Sequence, residues 1–124
     1  MYKRQARGDG QDIIVENDAV AGNTDVLQLV GDISFDQLWF SRSGNDLQIG
    51  IIGTTDRVTE KNWYLGSQYH VEQIRTSDGH SLGDANVQAL VQAMAGMTAP
   101  AAGQTTLSSV YRDQLQPVLA ASWQ

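Results

Sequence analysis

The residues best suited to chemistry form a nonapeptide near the N-terminus, from Arg7 to Val15 (RGDGQDIIV). It fits the repeat pattern G-G-x-G-x-D-x-U-x, where U is apolar, except that Arg7 replaces the first glycine. Glycines allow a left-handed backbone that exposes carbonyl oxygens, and aspartates add the anionic oxygens that Ca²⁺ prefers. The pattern therefore predicts a calcium loop, although Gly-Asp-Gly is also a common surface turn. The predicted ligands are Gly8, Asp9, Gly10 and Asp12.

Two histidines are the remaining candidates for chemistry. His70 and His80, with Asp78 nearby, have the residue types of a hydrolytic or metal constellation. No third ligand has a suitable spacing, and no serine lies in a G-x-S-x-G turn. We therefore expect surface or turn histidines in a chain that is not an enzyme.

Aromatic residues cluster in the middle of the chain and leave two interpretations open. They suit a sugar-binding platform, but aromatics at the two-residue spacing of a strand are more often core or cross-strand packing. The first interpretation makes the chain an extracellular glycan- or surface-binding module that uses exposed aromatics. The residues concerned are Trp39, Phe40, Trp63, Tyr64 and Tyr69.

Length and charge narrow the class of protein. The chain has 124 residues, which fits one domain, and a net charge of -6, which disfavours nucleic acid. Thirteen of its 14 acidic residues lie between Asp9 and Asp84, so the C-terminal part is nearly neutral. Without cysteine there is no disulfide or thiolate-bound zinc. No apolar run reaches the ~18 residues of a membrane span.

Short strands are predicted through most of the chain. Leu47, Ile49 and Ile51 alternate cleanly after Ser43-Gly44-Asn45-Asp46, which predicts a hairpin with the strand before it. The sequence Ser34 to Gln37 has the form of a capping box.

The pattern then changes to a helical period. Val87, Leu90, Val91 and Met94 follow the spacing of one helix face, with Asp84 as N-cap and Gly96 as stop. Ser108 begins a second helix, in which Pro117 predicts a bend or two short pieces. The expected fold is mainly β with C-terminal helices, an α+β arrangement.

Several stretches in order along the chain resemble the C-terminal region of haemolysin-type calcium-binding (RTX) proteins, the haemolysin-type calcium-binding-protein-related domain. The resemblance implies the end of a parallel β-roll followed by hairpins and two short helices. It also implies calcium binding, secretion to the extracellular space by type I machinery, and upstream RTX repeats as partners. The matching stretches are Gly8–Ile14, Thr24–Leu29, Gln37–Phe40, Gly44–Leu47, Gly53–Asp56, Asn62–Tyr64, Val71–Ile74, Ser77–Gly79 and Pro117–Trp123.

One departure from the family pattern bears on the metal site. In such repeats calcium lies between two successive turns, and here one good turn is present, so the ligands form half a site. Asp25, after Gly22-Asn23-Thr24, is a poorly spaced candidate for a second turn.

The chain divides into four predicted segments. Residues 1–5 look like a non-native leader, which we set aside in predicting the fold. Residues 6–30 hold the last calcium turn and a strand, 31–97 form a hairpin domain closing with a helix, and 98–124 form a linker and helix that could carry a secretion signal. The predicted function is a non-catalytic, calcium-binding capping and secretion module of a larger exported protein.

Overall fold

The fold is mainly β with two C-terminal helices, which confirms the predicted class. In the computed structural model, residues 2–6, 8–15 and 25–124 are described. Short strands come first and the helices last, as the change of hydrophobic period predicts. The strands are β1 (Tyr2–Gln5), β2 (Gln11–Ile14), β3 (Val26–Leu29), β4 (Leu38–Ser43), β5 (Asp46–Ile51), β6 (Arg57–Glu60), β7 (Gln73–Arg75) and β8 (Ser81–Gly83), and the helices are α1 (Val87–Ala95) and α2 (Ser109–Ser122).

The strands form two four-stranded sheets that the chain enters alternately at its start. The first sheet has the order β1-β3-β7-β8 and the second has the order β2-β6-β5-β4. Pairing is parallel between β1 and β3, β3 and β7, and β2 and β6. It is antiparallel in the rest of both sheets. β1 and β2 are therefore consecutive strands that each form the parallel edge of a different sheet.

Setting residues 1–5 aside left one strand out of the predicted fold. Tyr2–Gln5 form β1, which pairs with β3 from Tyr2 opposite Val26 to Gln5 opposite Leu29. The Val30 N–H also donates to the Gln5 carbonyl at 2.9 Å. Excluding these residues from the predicted fold was therefore wrong. The strand could not be predicted locally, because parallel pairing to a distant strand leaves no hydrophobic pattern in the four residues themselves. Their non-native origin stays a prediction.

The predicted hairpin is confirmed and supplies much of the core. β4 and β5 pair from Leu38 opposite Ile51 to Ser43 opposite Asp46. Gly44 has φ 61° in the two-residue connection, where glycine is favoured. The alternating side chains of β5 point into the core and are at most 2% exposed; they are Leu47, Ile49 and Ile51.

Helix α1 covers the hairpin with the face that its sequence predicts. Its buried residues are the predicted four, and Gly96 is its C-cap. A single 3-10 turn at Asp84–Asn86 precedes the helix, so Asn86 is the N-cap in place of Asp84. The Phe40 N–H of β4 lies 3.2 Å from the Met94 sulfur, which shows how closely the helix lies on the strand.

Helix α2 begins at the predicted cap, where the Ser108 hydroxyl accepts from the Tyr111 N–H at 3.2 Å. The prediction of two short pieces is wrong, because one helix of 14 residues runs through Pro117. Proline removes one backbone donor, that to the carbonyl of Asp113. Both residues are exposed, so water can satisfy that carbonyl. Neither helix, nor any other among the described residues, is long and apolar enough to cross a membrane.

The linker before α2 is seated on the loop after β5, and this contact gives a testable prediction. Gly53 has φ +77°, and a Cβ there would lie 2.7 Å from the Gln104 backbone carbonyl. Gly53→Ala should therefore destabilise the fold more than Gly44→Ala, whose Cβ meets nothing within 4 Å. Left-handed strain alone costs about 1–2 kcal/mol. Urea unfolding of both variants measures the difference, and equal losses would contradict the seating of the linker.

Candidate metal site

The predicted calcium loop connects the two sheets. We call Gly8 to Asp12 the first loop; it follows β1 and includes the first two residues of β2. Gly8 and Gly10 have φ 87° and 79°, the left-handed values that the motif predicts. An Asp9 carboxylate oxygen accepts from the Ala6 N–H at 2.9 Å, and the Asp9 N–H donates to the Ala6 carbonyl at 3.2 Å. The loop is thus a closed turn with Asp9 on its exposed side.

A second turn lies beside the first loop; the sequence predicts a turn at Gly53 to Asp56, but not that it stacks on the first loop. We call Gly53 to Val58 the second loop. The parallel register sets Gln11 opposite Arg57 and Asp12 opposite Val58. The Arg57 N–H donates to the Gly10 carbonyl at 3.0 Å, so the pairing continues into the loops. A turn therefore stacks on the first loop from the side of β6, but it has valine where the first loop has an aspartate.

Asp56 joins the two loops. One oxygen of its carboxylate accepts from the Gly8 N–H at 2.7 Å and the other from the Gly10 N–H at 3.0 Å. The residue is only 8% exposed. Hydrogen bonds to a charged group contribute about 1.5–3 kcal/mol each. The contact spans 48 and 46 residues, so no local pattern predicts it, and only the turn sequence Gly53 to Asp56 hints at it.

The first loop has the type of ligand atoms that calcium prefers, but it has too few of them. Its carboxylates and backbone carbonyls are hard oxygen donors, but Ca²⁺ takes about six to eight of them. The Gly10 carbonyl is already paired with Arg57. Within residues 2–6, 8–15 and 25–124, no three or more His, Cys, Asp or Glu side chains form a group that could hold a metal. The four ligands stay a prediction, and Asp9 and Asp12 can supply at most part of a site.

Asp25, the other candidate for a second calcium turn, does not lie beside the first loop. Residues 22–24, which would form its loop, lie outside the described residues. Asp25 is 2% exposed, and its N–H donates to a Glu72 carboxylate oxygen at 2.7 Å. It leads into β3 in the first sheet, beside β7, whereas the first loop leads into the second sheet.

The structure pairs the two histidines with different carboxylates. His70 Nδ1 lies 3.1 Å from Asp84, while its Nε2 lies 2.7 Å from the Trp63 carbonyl. The same ring stacks on Trp63 with centroids 3.7 Å apart. His80 Nδ1 lies 3.2 Å from Asp78. Each histidine thus has a structural environment of its own, and the absence of catalysis stays a prediction.

The expectation of exposed aromatics is wrong for three of the five residues. Trp39 is 9% exposed, Phe40 1% and Trp63 4%, because each packs into the core. Tyr64 and Tyr69 are partly exposed. The Arg42 guanidinium lies over the Tyr64 ring, 4.1 Å from its centroid.

A groove lies on the outer face of the second sheet, above Gly50. The register sets Gly50 between Trp39 on β4 and Arg57 on β6, so the missing side chain leaves a depression between an indole and a guanidinium. The groove has a volume of about 320 Å³. Amide and hydroxyl groups complete its lining; they belong to Gln11, Ser41, Gln48, Thr54 and Thr55.

Comparison with known proteins confirms the predicted resemblance. Residues 46–86 match the family described as haemolysin-type calcium binding protein related domain. The chain is also similar to the iron-regulated protein FrpA of Neisseria meningitidis serogroup C, with 30% identity over 89 residues. This similarity covers 69% of the chain and 8% of FrpA, so the chain corresponds to a small part of that relative.

The Asp78 turn gives a prediction about pH. Burial raises the pKa of Asp78, but hydrogen bonds from Thr76 and the Phe35 N–H, together with His80, outweigh it and lower the pKa below 3.8. A depressed folded pKa stabilises the fold above the unfolded value, and this stability is lost as the pH falls through the folded value. Asp78→Asn should therefore unfold more easily at neutral pH.

The difference between Asp78→Asn and the unchanged chain should shrink once the pH is well below 3.8, where the carboxyl is protonated in both states. Thermal melting across the acid range measures it. Asp113→Asn, on the exposed face of α2, is the control. A gap that is the same at acid and neutral pH would contradict the assignment.

Proposed function

We propose that this chain is a non-catalytic C-terminal module that closes a calcium β-roll in a larger exported protein of the haemolysin type. The observation that carries the proposal is the position of β1 and β2. Joined by the first loop, they are the parallel edges of two different sheets. A β-roll continues by adding parallel strands to two sheets in turn, which is the geometry these two edges offer.

Among the described strands, β1 and β2 each pair on one side only, which favours upstream repeats of the parent chain as the partner. An edge strand presents unpaired N–H and C=O groups, which proteins generally cover or pair. Ile13 and Val15, beside the β2 edge, are 68% and 74% exposed. A preceding turn would pair both edges and flank these side chains. The same turn would supply the oxygens that the first loop lacks.

The opposite side of the module has the features of an end cap. There the pairing becomes antiparallel, which stops the parallel repeat. Leu82 of β8 bridges to Trp123 at the end of α2, and the Ser81 N–H donates to the Gln124 carbonyl at 2.9 Å. Repeat proteins need such atypical terminal units, because an inner repeat cannot present a finished surface to water.

Calcium would couple folding to export in this proposal. Cytoplasmic calcium is low and extracellular calcium is high. A roll that needs calcium to order stays unfolded for type I secretion and folds outside, because metal-binding free energy becomes folding free energy. The nearly neutral C-terminal stretch is the candidate secretion signal. The match to the haemolysin-type calcium binding protein related domain and the half-site in the first loop support this part.

The test is calcium titration by calorimetry and thermal melting on two proteins. One is this chain, and the other carries two upstream turns built from consensus nonapeptides before Tyr2. Only the longer protein should bind calcium and melt at higher temperature with it. Asp12→Asn in the longer protein should remove the last ion without removing the others. If neither protein responds to calcium, the first loop is a turn and the proposal fails.

A second candidate function is glycan binding, which the groove above Gly50 favours. An aromatic wall with amide, hydroxyl and guanidinium groups suits a sugar ring, which has apolar faces and polar edges. Trp39 reaches the groove although most of its surface is buried. This function would place the ligand in a groove that borders both loops, since Gln11 of the first loop and Thr54 and Thr55 of the second line it.

Filling the groove tests the second function. At Gly50 a Cβ would meet only the Trp39 carbonyl, at 3.8 Å, so Gly50→Val should fold normally. On a glycan array, any glycan held by the chain should be lost with Gly50→Val and kept with Leu65→Ala, a change at an exposed site. Binding that survives Gly50→Val, or no binding by the unchanged chain, would contradict this function.

A further inference from the structure

The two stacked loops can be compared position by position, because the register of β2 and β6 aligns them. Continuing that register by one residue sets Asp56 opposite Gly10, and Val58 lies opposite Asp12. By the same count Thr54 corresponds to Gly8. The second loop therefore carries another residue type at every position that makes the first loop a calcium turn.

Asp56 replaces a glycine and gains a new contact by doing so. Its two carboxylate oxygens accept from the N–H groups of Gly8 and Gly10 at 2.7 and 3.0 Å. The downstream side of the first loop is thus closed by a protein carboxylate. Val58 adds no oxygen where a calcium turn would have an aspartate.

We propose that Asp56 terminates the calcium series: it caps the first loop from the downstream side, so an ion can be held only on the upstream side. This inference rests on the proposed function, because it takes the first loop to be a calcium loop. Asp56 is a positioning residue in this arrangement and not a ligand. It holds the two left-handed glycines in the shape that the half-site needs before any calcium arrives.

The geometry supports termination in two ways. Both oxygens of the carboxylate already accept N–H groups, and rotating it toward a cation would give up both of these charge-assisted hydrogen bonds. The Gly10 carbonyl on the same side is paired with the Arg57 N–H. The downstream side of the first loop therefore offers a cation no readily available set of oxygens.

The first experiment removes the clamp. Asp56→Asn keeps the shape but sets an amide NH₂ against one of the two N–H donors. The amide hydrogens of Gly8 and Gly10, followed by NMR, should exchange roughly tenfold faster or more, while those of the β4–β5 hairpin are unchanged. In the extended protein, calcium should bind roughly tenfold more weakly at the last site with the same stoichiometry. Asp36→Asn is the control.

The second experiment rebuilds a calcium turn. The triple change Thr54→Gly, Asp56→Gly and Val58→Asp turns the second loop into Gly-Gly-Thr-Gly-Arg-Asp, which matches the first six positions of the signature, in register with the first loop. This chain, without upstream repeats, should then bind one Ca²⁺ by calorimetry that the unchanged chain does not bind. If the triple variant does not fold, the single variant decides the matter.

The outcomes separate the two proposals. If the extended protein binds calcium but the folded triple variant gains no ion, Asp56 is not the terminator and the proposed function stands. Unchanged exchange at Gly8 and Gly10 in Asp56→Asn overturns the positioning role in the same way. If the extended protein binds no calcium, the proposed function itself fails. The inference is supported if the triple variant gains one calcium ion and if the amide hydrogens of Gly8 and Gly10 exchange faster in Asp56→Asn.

Discussion

The parallel pairing of β2 with β6 is the constraint on which the rest of the structure depends. It stacks the first loop on the second, and it joins the calcium-type turn to the hairpin that forms the core. The side-chain alternation of a strand fixes this register, because a slip of one residue would exchange its two faces. Ile14 is 4% exposed and Ile13 is 68% exposed. The slipped pairing would turn Ile13 toward the core and Ile14 away from it, so the contact of Ile14 with the core would be lost.

Two fully buried polar residues lie near the parallel strand pairs. Gln5 on β1 is fully buried, and its side-chain nitrogen and oxygen have no hydrogen-bond partner among the described residues. Glu60 on β6, opposite Ile14, is also fully buried. Burying a polar group without a hydrogen bond destabilises the folded state. The apolar side chains packed between β4, β5 and α1 carry no such cost. The cost at Gln5 falls on β1, so this edge strand should open more readily than the β4–β5 hairpin.

Sequence reasoning succeeded where structure is local. The alternation of Leu47, Ile49 and Ile51 predicts β5, and the spacing of four apolar residues predicts α1, because each pattern lies within one element. The glycines of the first loop were likewise predicted from their own motif. By contrast, β1 and the Asp56 clamp depend on pairs more than 20 residues apart. Nothing in Tyr2–Gln5 or in Asp56 alone indicates these contacts, so the strand pairing of the first and the hydrogen bonds of the second could not be predicted from the sequence.

The family match and the motif lie on different parts of this architecture. Residues 46–86 include β5 to β8 and the second loop, whereas the first loop lies outside them. The matched segment is thus the part that ends the parallel pairing, and the calcium motif is joined to it through two carboxylate hydrogen bonds and one strand pair. A closing segment of this kind needs no calcium ligand of its own. It needs a side chain that satisfies the donors of the last turn, and a buried aspartate in register with that turn's glycine meets this requirement.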